Sequence, residues 1–267
     1  LKYQTLLVEN FSSDGNLDAV LVMGAKSSTA KALVTNCYSE NSSRIGFTAD
    51  VGATNVVFEK CYSYNCRQGF HAEISSKVTF IDCTADKCGD GAMPRIDYQP
   101  FEYAGGFRLH KYNDIKMIRC KNINKNGYNY DDVGGGGTDL YVENCEGLHF
   151  LSDNDAKVYK NITLKQLKNC SFDLQGFKSL IAGRVIVHDF DGGSLELSSI
   201  TVDTTNVVDY AEFKNIKAIR LQVKTQSTTA TVVLDNVYVR SPYFNAIQGF
   251  AHYILGDLIY SWDNSNG

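Results

Sequence analysis

Proline is scarce in this chain: three residues in 267, two of them in one short stretch at Pro94 and Pro100. Long apolar runs are missing too. None approaches the roughly 20 residues that span a bilayer, so membrane insertion is not expected. An excess of one charge is also absent. The net charge is -4 and no basic stripe runs along the chain, so nucleic acid is not an expected partner. No signal peptide is visible. The chain starts at Leu1, ahead of a strand-like Thr5-Leu6-Leu7-Val8, and is expected to be a piece of a longer polypeptide. What is plentiful is apolar material, 43% of the residues, and cysteine, eight residues.

Six cysteines recur at 37, 61, 83, 120, 145 and 170, in steps of 24, 22, 37, 25 and 25. The long step holds an insertion at about 92–104. Each cysteine closes a similar phrase, such as Leu33-Val34-Thr35-Asn36-Cys37 or Tyr141-Val142-Glu143-Asn144-Cys145, and Phe11 takes its place in the first copy. Three places earlier stand Val8, Val34, Phe58, Phe80, Met117, Val142 and Leu167, all apolar; the next place is mostly polar. That alternation marks a strand with one buried face. A repeat of 20–25 residues holding one strand and its turns marks a solenoid, because each coil buries its apolar face only against a neighbour. Asn10, Asn36, Asn144 and Asn169 fit a tight corner, since Asn tolerates left-handed backbone angles. The expected fold is all-β, a right-handed parallel β-helix of about ten coils. It is read as a single domain over 1–267, regular over 1–183 and less regular over 184–267. The apolar run Val185-Ile186-Val187 reads as a strand covered on both faces.

The cysteines read as small inward hydrophobes. Parallel side chains in register give poor disulfide geometry, and a linear ladder does not converge on a metal. Gly134 to Gly137 lacks a following Lys-Ser/Thr, and Ser152-Asp153-Asn154-Asp155 lacks the Gly and later Glu of a calcium loop. No metal or cofactor is expected.

A second strand follows each cysteine: Gly46-Phe47-Thr48-Ala49-Asp50, Gly69-Phe70-His71-Ala72-Glu73, Gly106-Phe107-Arg108-Leu109-His110 and Gly127-Tyr128-Asn129-Tyr130-Asp131. With the aromatic and the residue two places on facing inward, two outward columns form. One is Thr48, His71, Arg108 and Asn129; the other is Asp50, Glu73, His110 and Asp131. The insertion, with Arg95, Asp97, Tyr98, Phe101, Glu102 and Tyr103, opens onto the start of this strand. Aromatic rings beside carboxylates and arginine suit a sugar, rings covering its apolar face and polar groups meeting its hydroxyls. An outward strand face can equally be no more than solvated.

These coils resemble the pectate-lyase-like β-helix superfamily and, within it, the tailspike and tail-appendage proteins of bacteriophages. The resemblance covers about Leu6 to Leu180 and rests on the Asn-Cys corner, the Gly-Phe strand and the period. The ending Gly249 to Tyr260 resembles the Gly-Asp-Ile-Tyr phrase that closes such domains. The resemblance implies a homotrimer, in a virion or otherwise extracellular, that binds and often cleaves a bacterial surface polysaccharide. The calcium carboxylates and arginine base of pectate lyases are not matched, which favours a hydrolase over a lyase. Glycoside hydrolysis needs two carboxyl groups. The expected pair is Glu73 with Asp131, and Asp50 and His110 stand beside them. Glu73 is the acid, because the like charge of Asp50 favours its protonated form. His71, Arg108, Asn129 and the insertion hold the sugar. A non-catalytic glycan-binding adhesin and a secreted polysaccharide lyase or epimerase remain open alternatives.

Overall fold

The structure, a computed structural model, describes residues 5–24, 31–73, 76–89, 105–110, 114–123, 131–134, 137–151, 159–173, 184–191, 199–204, 210–218, 220–225, 231–239, 247–248, 252–255 and 258–260. Among them every regular element is a strand. The chain forms two compact units, Leu1–Gly135 and Gly136–Gly267.

The first unit is a stack of three-sided coils. The first coil comprises β1 (Thr5–Glu9), β2 (Ser12–Asp14) and β3 (Asp18–Met23); the second, β4 (Lys31–Thr35), β5 (Tyr38–Glu40) and β6 (Ile45–Asp50). The third holds β7 (Thr54–Glu59), β8 (Tyr62–Tyr64) and β9 (Gln68–Glu73); the fourth, β10 (Ser76–Ile81), β11 (Thr84–Asp86) and β12 (Gly105–His110). The fifth is β13 (Asp114–Ile118), β14 (Lys121–Ile123) and β15 (Asp131–Gly134). Successive coils pair in parallel on all three sides, as β1-β4-β7-β10-β13, β2-β5-β8-β11-β14 and β3-β6-β9-β12-β15. This is the parallel β-helix the period predicts, a form whose crossovers run right-handed as a rule.

The corner after the first strand is one left-handed residue: Asn10, Asn36, Lys60, Asp82 and Arg119 have φ between 51 and 54°. That conformation costs a residue with a side chain about 1–2 kcal/mol, least for Asn. Backbone N–H groups donated to the next coil offset it: Asn36 to Glu59 O at 3.0 Å, Lys60 to Ile81 O at 2.9 Å and Asp82 to Ile118 O at 2.9 Å. The corner turns the next residue inward. Cys37, Cys61, Cys83 and Cys120 are all buried. Each thiol donates to a carbonyl of the preceding coil, Cys61 to Val34 at 3.4 Å, Cys83 to Phe58 at 3.3 Å and Cys120 to Phe80 at 3.5 Å. A small apolar side chain that also donates is what this place requires. All eight cysteines are buried free thiols.

Two phenylalanine ladders fill the core. Phe47, Phe70 and Phe107 stack with centroids 5.2 and 4.8 Å apart, and Phe58 stacks on Phe80 at 5.4 Å. The ladders meet edge to face, Phe70 on Phe80 at 5.9 Å. The glycine before each ring of the Phe47–Phe70–Phe107 ladder has a steric cause. A Cβ on Gly46 would lie 2.4 Å from Ser63 Oγ, and one on Gly106 would lie 2.6 Å from the Asn122 side chain.

The second unit contains β16 (Gly137–Glu143), β17 (His149–Leu151), β18 (Tyr159–Lys168), β19 (Ser171–Asp173), β20 (Arg184–Asp191) and β21 (Ser199–Thr204). It continues with β22 (Tyr210–Ala218), β23 (Arg220–Thr225), β24 (Thr231–Val239), β25 (Ile247–Gln248), β26 (His252–Leu255) and β27 (Leu258–Tyr260). Its sheets run β16-β18-β20-β22-β24, with β26 and β27 both on β24, and β17-β19-β21-β23-β25. The expectation of about ten coils is corrected here to about six three-sided ones. The three-sided coil is built five times in the first unit, and one abbreviated version opens the second, its short side marked by the bridge Glu146↔Lys168. Beyond it the described residues of each coil form two strands, because the corner residue is absorbed into one long strand. Gln166, Asp189, Asn215 and Asn236 keep φ between 51 and 54° inside β18, β20, β22 and β24.

Cys170 is likewise corrected. Glu143 pairs with Lys165 and Glu146 with Lys168, which sets Leu167 opposite Cys145. His149 pairs with Ser171, so Cys170 stands opposite Leu148, one corner further on. The inward place after the corner passes from Cys145 to Leu167, Phe190, Ile216 and Val237, all at most 2% exposed. In Val185-Ile186-Val187 only the two valines are buried; Ile186 is half-buried on the outer face.

Candidate functional site

The third side of the first unit carries the expected site. Phe47, Ala49, Phe70, Ala72, Phe107 and Leu109 are fully buried, so the facing of β6, β9 and β12 is as expected. Thr48 pairs with His71, and His71 with Arg108, in one outward column. Glu73 pairs with His110, and the register Ala49↔Ala72 carries Asp50 level with Glu73.

The first outward column is not solvated. Thr48, His71 and Arg108 are 1, 3 and 7% exposed. An imidazole and a permanently charged guanidinium are thus enclosed on the side of the sheet away from the core, which is costly unless they are paired. His71 Nε2 lies 3.6 Å from Glu73 Oε2, whose side chain is 30% exposed. Glu73 therefore joins an enclosed base to an accessible edge. Thr48 Oγ1 has no hydrogen-bond partner among the described residues. Asp50 is turned to its own loop, Oδ1 accepting from Val51 N–H at 2.6 Å.

Register removes one expected neighbour. Leu109 pairs with Val133 and His110 with Gly134, so Asp131 stands level with Phe107 rather than His110. The coil between them is longer than the aromatic phrase implied, and backbone pairing, not phrase similarity, fixes register. The line Glu73–His110–Asp131 is not formed. Asn129, Arg95, Asp97, Tyr98, Phe101, Glu102 and Tyr103 lie outside the described residues.

Two polar networks escaped the sequence reading. In the second unit Glu212 accepts from Tyr210 Oη at 2.7 Å and meets His188 Nε2 at 2.9 Å, while Arg184 lies over the Tyr210 ring at 5.4 Å. The Tyr210 hydroxyl, then His188 and Lys214, hold the Glu212 carboxyl below its usual range. In the first unit a tyrosine-carboxylate face occupies the second side. Its signal was present in the repeated Cys37-Tyr38-Ser39-Glu40 and Cys61-Tyr62-Ser63-Tyr64. Among the described residues no group of three or more His, Cys, Asp or Glu is placed to hold a metal ion.

Comparison with family models, curated proteins and solved structures returns no match.

Proposed function

We propose that this chain binds a bacterial surface polysaccharide along its third side and hydrolyses it, as a phage tailspike-like homotrimer in a virion or otherwise extracellular setting. The observation that carries the reading is the enclosed His71–Arg108 column with Glu73 at its accessible edge. Groups held in fixed positions out of water act strongly on a bound sugar. With Asp131 out of line, hydrolysis rests on Glu73 and Asp50. Adjacent coils set backbones about 4.8 Å apart, which suits the carboxyl separation of about 5–5.5 Å in retaining enzymes. Glu73 serves as acid and base, Asp50 as nucleophile, and Arg108 orients the sugar. The outward, half-buried Ile81 and Ile118 on the first side suit a subunit contact in the trimer.

The test is release of reducing ends from capsular and wall glycans. Glu73→Gln should lower turnover by about 10²–10⁴-fold, the usual contribution of a positioned acid or base. Full turnover in Glu73→Gln and Asp50→Asn removes this site. Binding without cleavage in the wild type leaves the adhesin reading, which the turn of Asp50 toward Val51 favours. An absorbance rise from an unsaturated product identifies a lyase instead.

A further inference from the structure

We propose that the second side of the first unit is a separate glycan-binding platform, selective for uncharged polysaccharide; the choice of a glycan ligand rests on the function proposed above. This side consists of three-residue strands, so only two outward columns cross it. Tyr38 pairs with Tyr62 and Glu40 with Tyr64 in one register; Thr84 and Asp86 follow on the next coil. The rings of Tyr38 and Tyr62 stack with centroids 5.8 Å apart and planes inclined by 16°. The pair is flanked by the small Ser12 and Thr84, so no large side chain on β2 or β11 overlies its outer faces.

The hydroxyls are fixed. Tyr38 donates to Glu40 at 2.9 Å and Tyr62 to Asp86 at 2.6 Å. Lys87 donates to the Tyr64 hydroxyl at 2.6 Å, with its ammonium 4.8 Å from that ring's centre. All three tyrosines are half-buried, held by their neighbours yet open on one side. Burial and the carboxylate beside it push the Tyr38 hydroxyl up to about 12, so it stays a protonated donor to Glu40. Rigid rings with carboxylates alongside present apolar faces and hydrogen-bond acceptors together, the combination a pyranose requires. Asp14, Glu40 and Asp86 on this side outnumber the ammoniums of Lys87 and Lys121, which disfavours uronate-bearing chains by like-charge repulsion. The platform is distinct from the third side in both residues and strands.

The experiment is affinity electrophoresis of the whole chain in native gels containing dextran, glucomannan or polygalacturonate. The wild type should be retarded by a neutral polymer and not by polygalacturonate. Tyr38→Ala and Tyr62→Ala should each weaken that retardation about three- to tenfold, while Lys217→Ala, at an exposed position of the second unit, leaves it unchanged. Tyr62→Leu, which keeps apolar volume, should weaken it as well and guards against a folding defect in the alanine variants. Unaltered retardation in the tyrosine variants with loss in Arg108→Ala overturns the platform and leaves the third-side site standing. Equal retardation by polygalacturonate overturns the preference for uncharged chains. No retardation in any gel overturns the platform alone; the third-side reading is decided separately by release of reducing ends from capsular and wall glycans.

Discussion

The two units use the same corner and build different coils from it. In the first, the left-handed residue stands between strands. A cysteine follows, then a three-residue strand and a second left-handed corner at Asn41, Asn65 or Lys87. In the second, beyond its opening coil, the left-handed residue sits inside a strand of eight to ten residues and pairing resumes beyond it, His188↔Lys214 and then Phe190↔Ile216. The stacked side chains persist: Asn215 donates to Asp189 at 2.7 Å and Asn236 to Asn215 at 2.9 Å. What changes is the residue after the corner. A thiol that satisfies a carbonyl of the preceding coil gives way to Leu167, Phe190, Ile216 and Val237, which fill space without donating. The corner is thus a property of backbone stacking, and the column beside it sets how the coil is filled.

The cores offer the severest way to break that comparison. Phe70→Ala removes a ring stacked on Phe47 and Phe107 and set edge-on to Phe80. It should cost about 3–5 kcal/mol, as should Phe213→Ala in the second unit. Hydrogen exchange should locate the loss in β9 for the first variant and β22 for the second. Loss spread evenly over both strands in either variant would mean that the units unfold as one.

The column after the corner is tested by exchanging its two chemistries. Cys83→Val deletes the donor to Phe58 O and adds a carbon to a filled place, at a cost of about 1–3 kcal/mol. Cys83→Ser keeps a donor and should cost less at equal burial. If valine is tolerated better than serine in urea titrations, the thiol matters only as volume. In the native protein the thiols should resist Ellman's reagent, Cys83 and Cys88 because burial raises them well above the usual range. Hydrogen bonds from Cys88 and neighbouring serines lower Cys66 to about 5, so any reaction should start there.

The corner is tested at Lys60. Lys60→Asn places a residue more tolerant of left-handed angles at φ 52° and should stabilise by up to about 1 kcal/mol. Asn215→Ala should cost about 1 kcal/mol or more, since it loses both the conformational tolerance and the bond to Asp189. Equal and opposite shifts in melting temperature would tie both units to one rule. A destabilised Lys60→Asn would show that this corner depends on the lysine itself.

Much of the fold was legible because it is enforced at every coil. Asn at a left-handed corner, cysteine beneath a carbonyl and glycine against the neighbouring side each leave a recurring letter. Register was less legible. The step from Cys145 to Cys170 is 25 residues, whereas paired strands there advance 22, from Glu143 to Lys165. A similar phrase can therefore fall one corner out of place, and Asp131 was misplaced in the same way. The enclosure of His71 and Arg108 was not legible either. Alternation tells which way a side chain points, but not what else packs against it. The tyrosine face was passed over because three-residue strands are too short to show a period.

The smallest expected effect compares two surface carboxylates across the units. Glu212 is held below its usual range chiefly by the Tyr210 hydroxyl, and Asp82 by Arg119, which binds it at 2.7 and 2.9 Å. A carboxyl whose folded value is depressed binds fewer protons folded than unfolded. Its contribution is therefore complete above the unfolded value, about 4 for either group. It is lost as pH falls through the folded value. Both pairs are partly exposed and screened by water, so each should contribute less than about 1 kcal/mol. Melting temperatures between pH 6 and pH 3 should fall less steeply in Tyr210→Phe and in Asp82→Asn than in the wild type. Glu212 is enclosed more deeply than the Asp82–Arg119 pair, with side chains 24% exposed against 34 and 50%. Added salt should accordingly flatten the acid limb that belongs to Asp82 more than the one that belongs to Glu212. A Tyr210→Phe variant that loses the same stability at pH 3 as at pH 6 would show that the hydroxyl acts independently of the Glu212 charge.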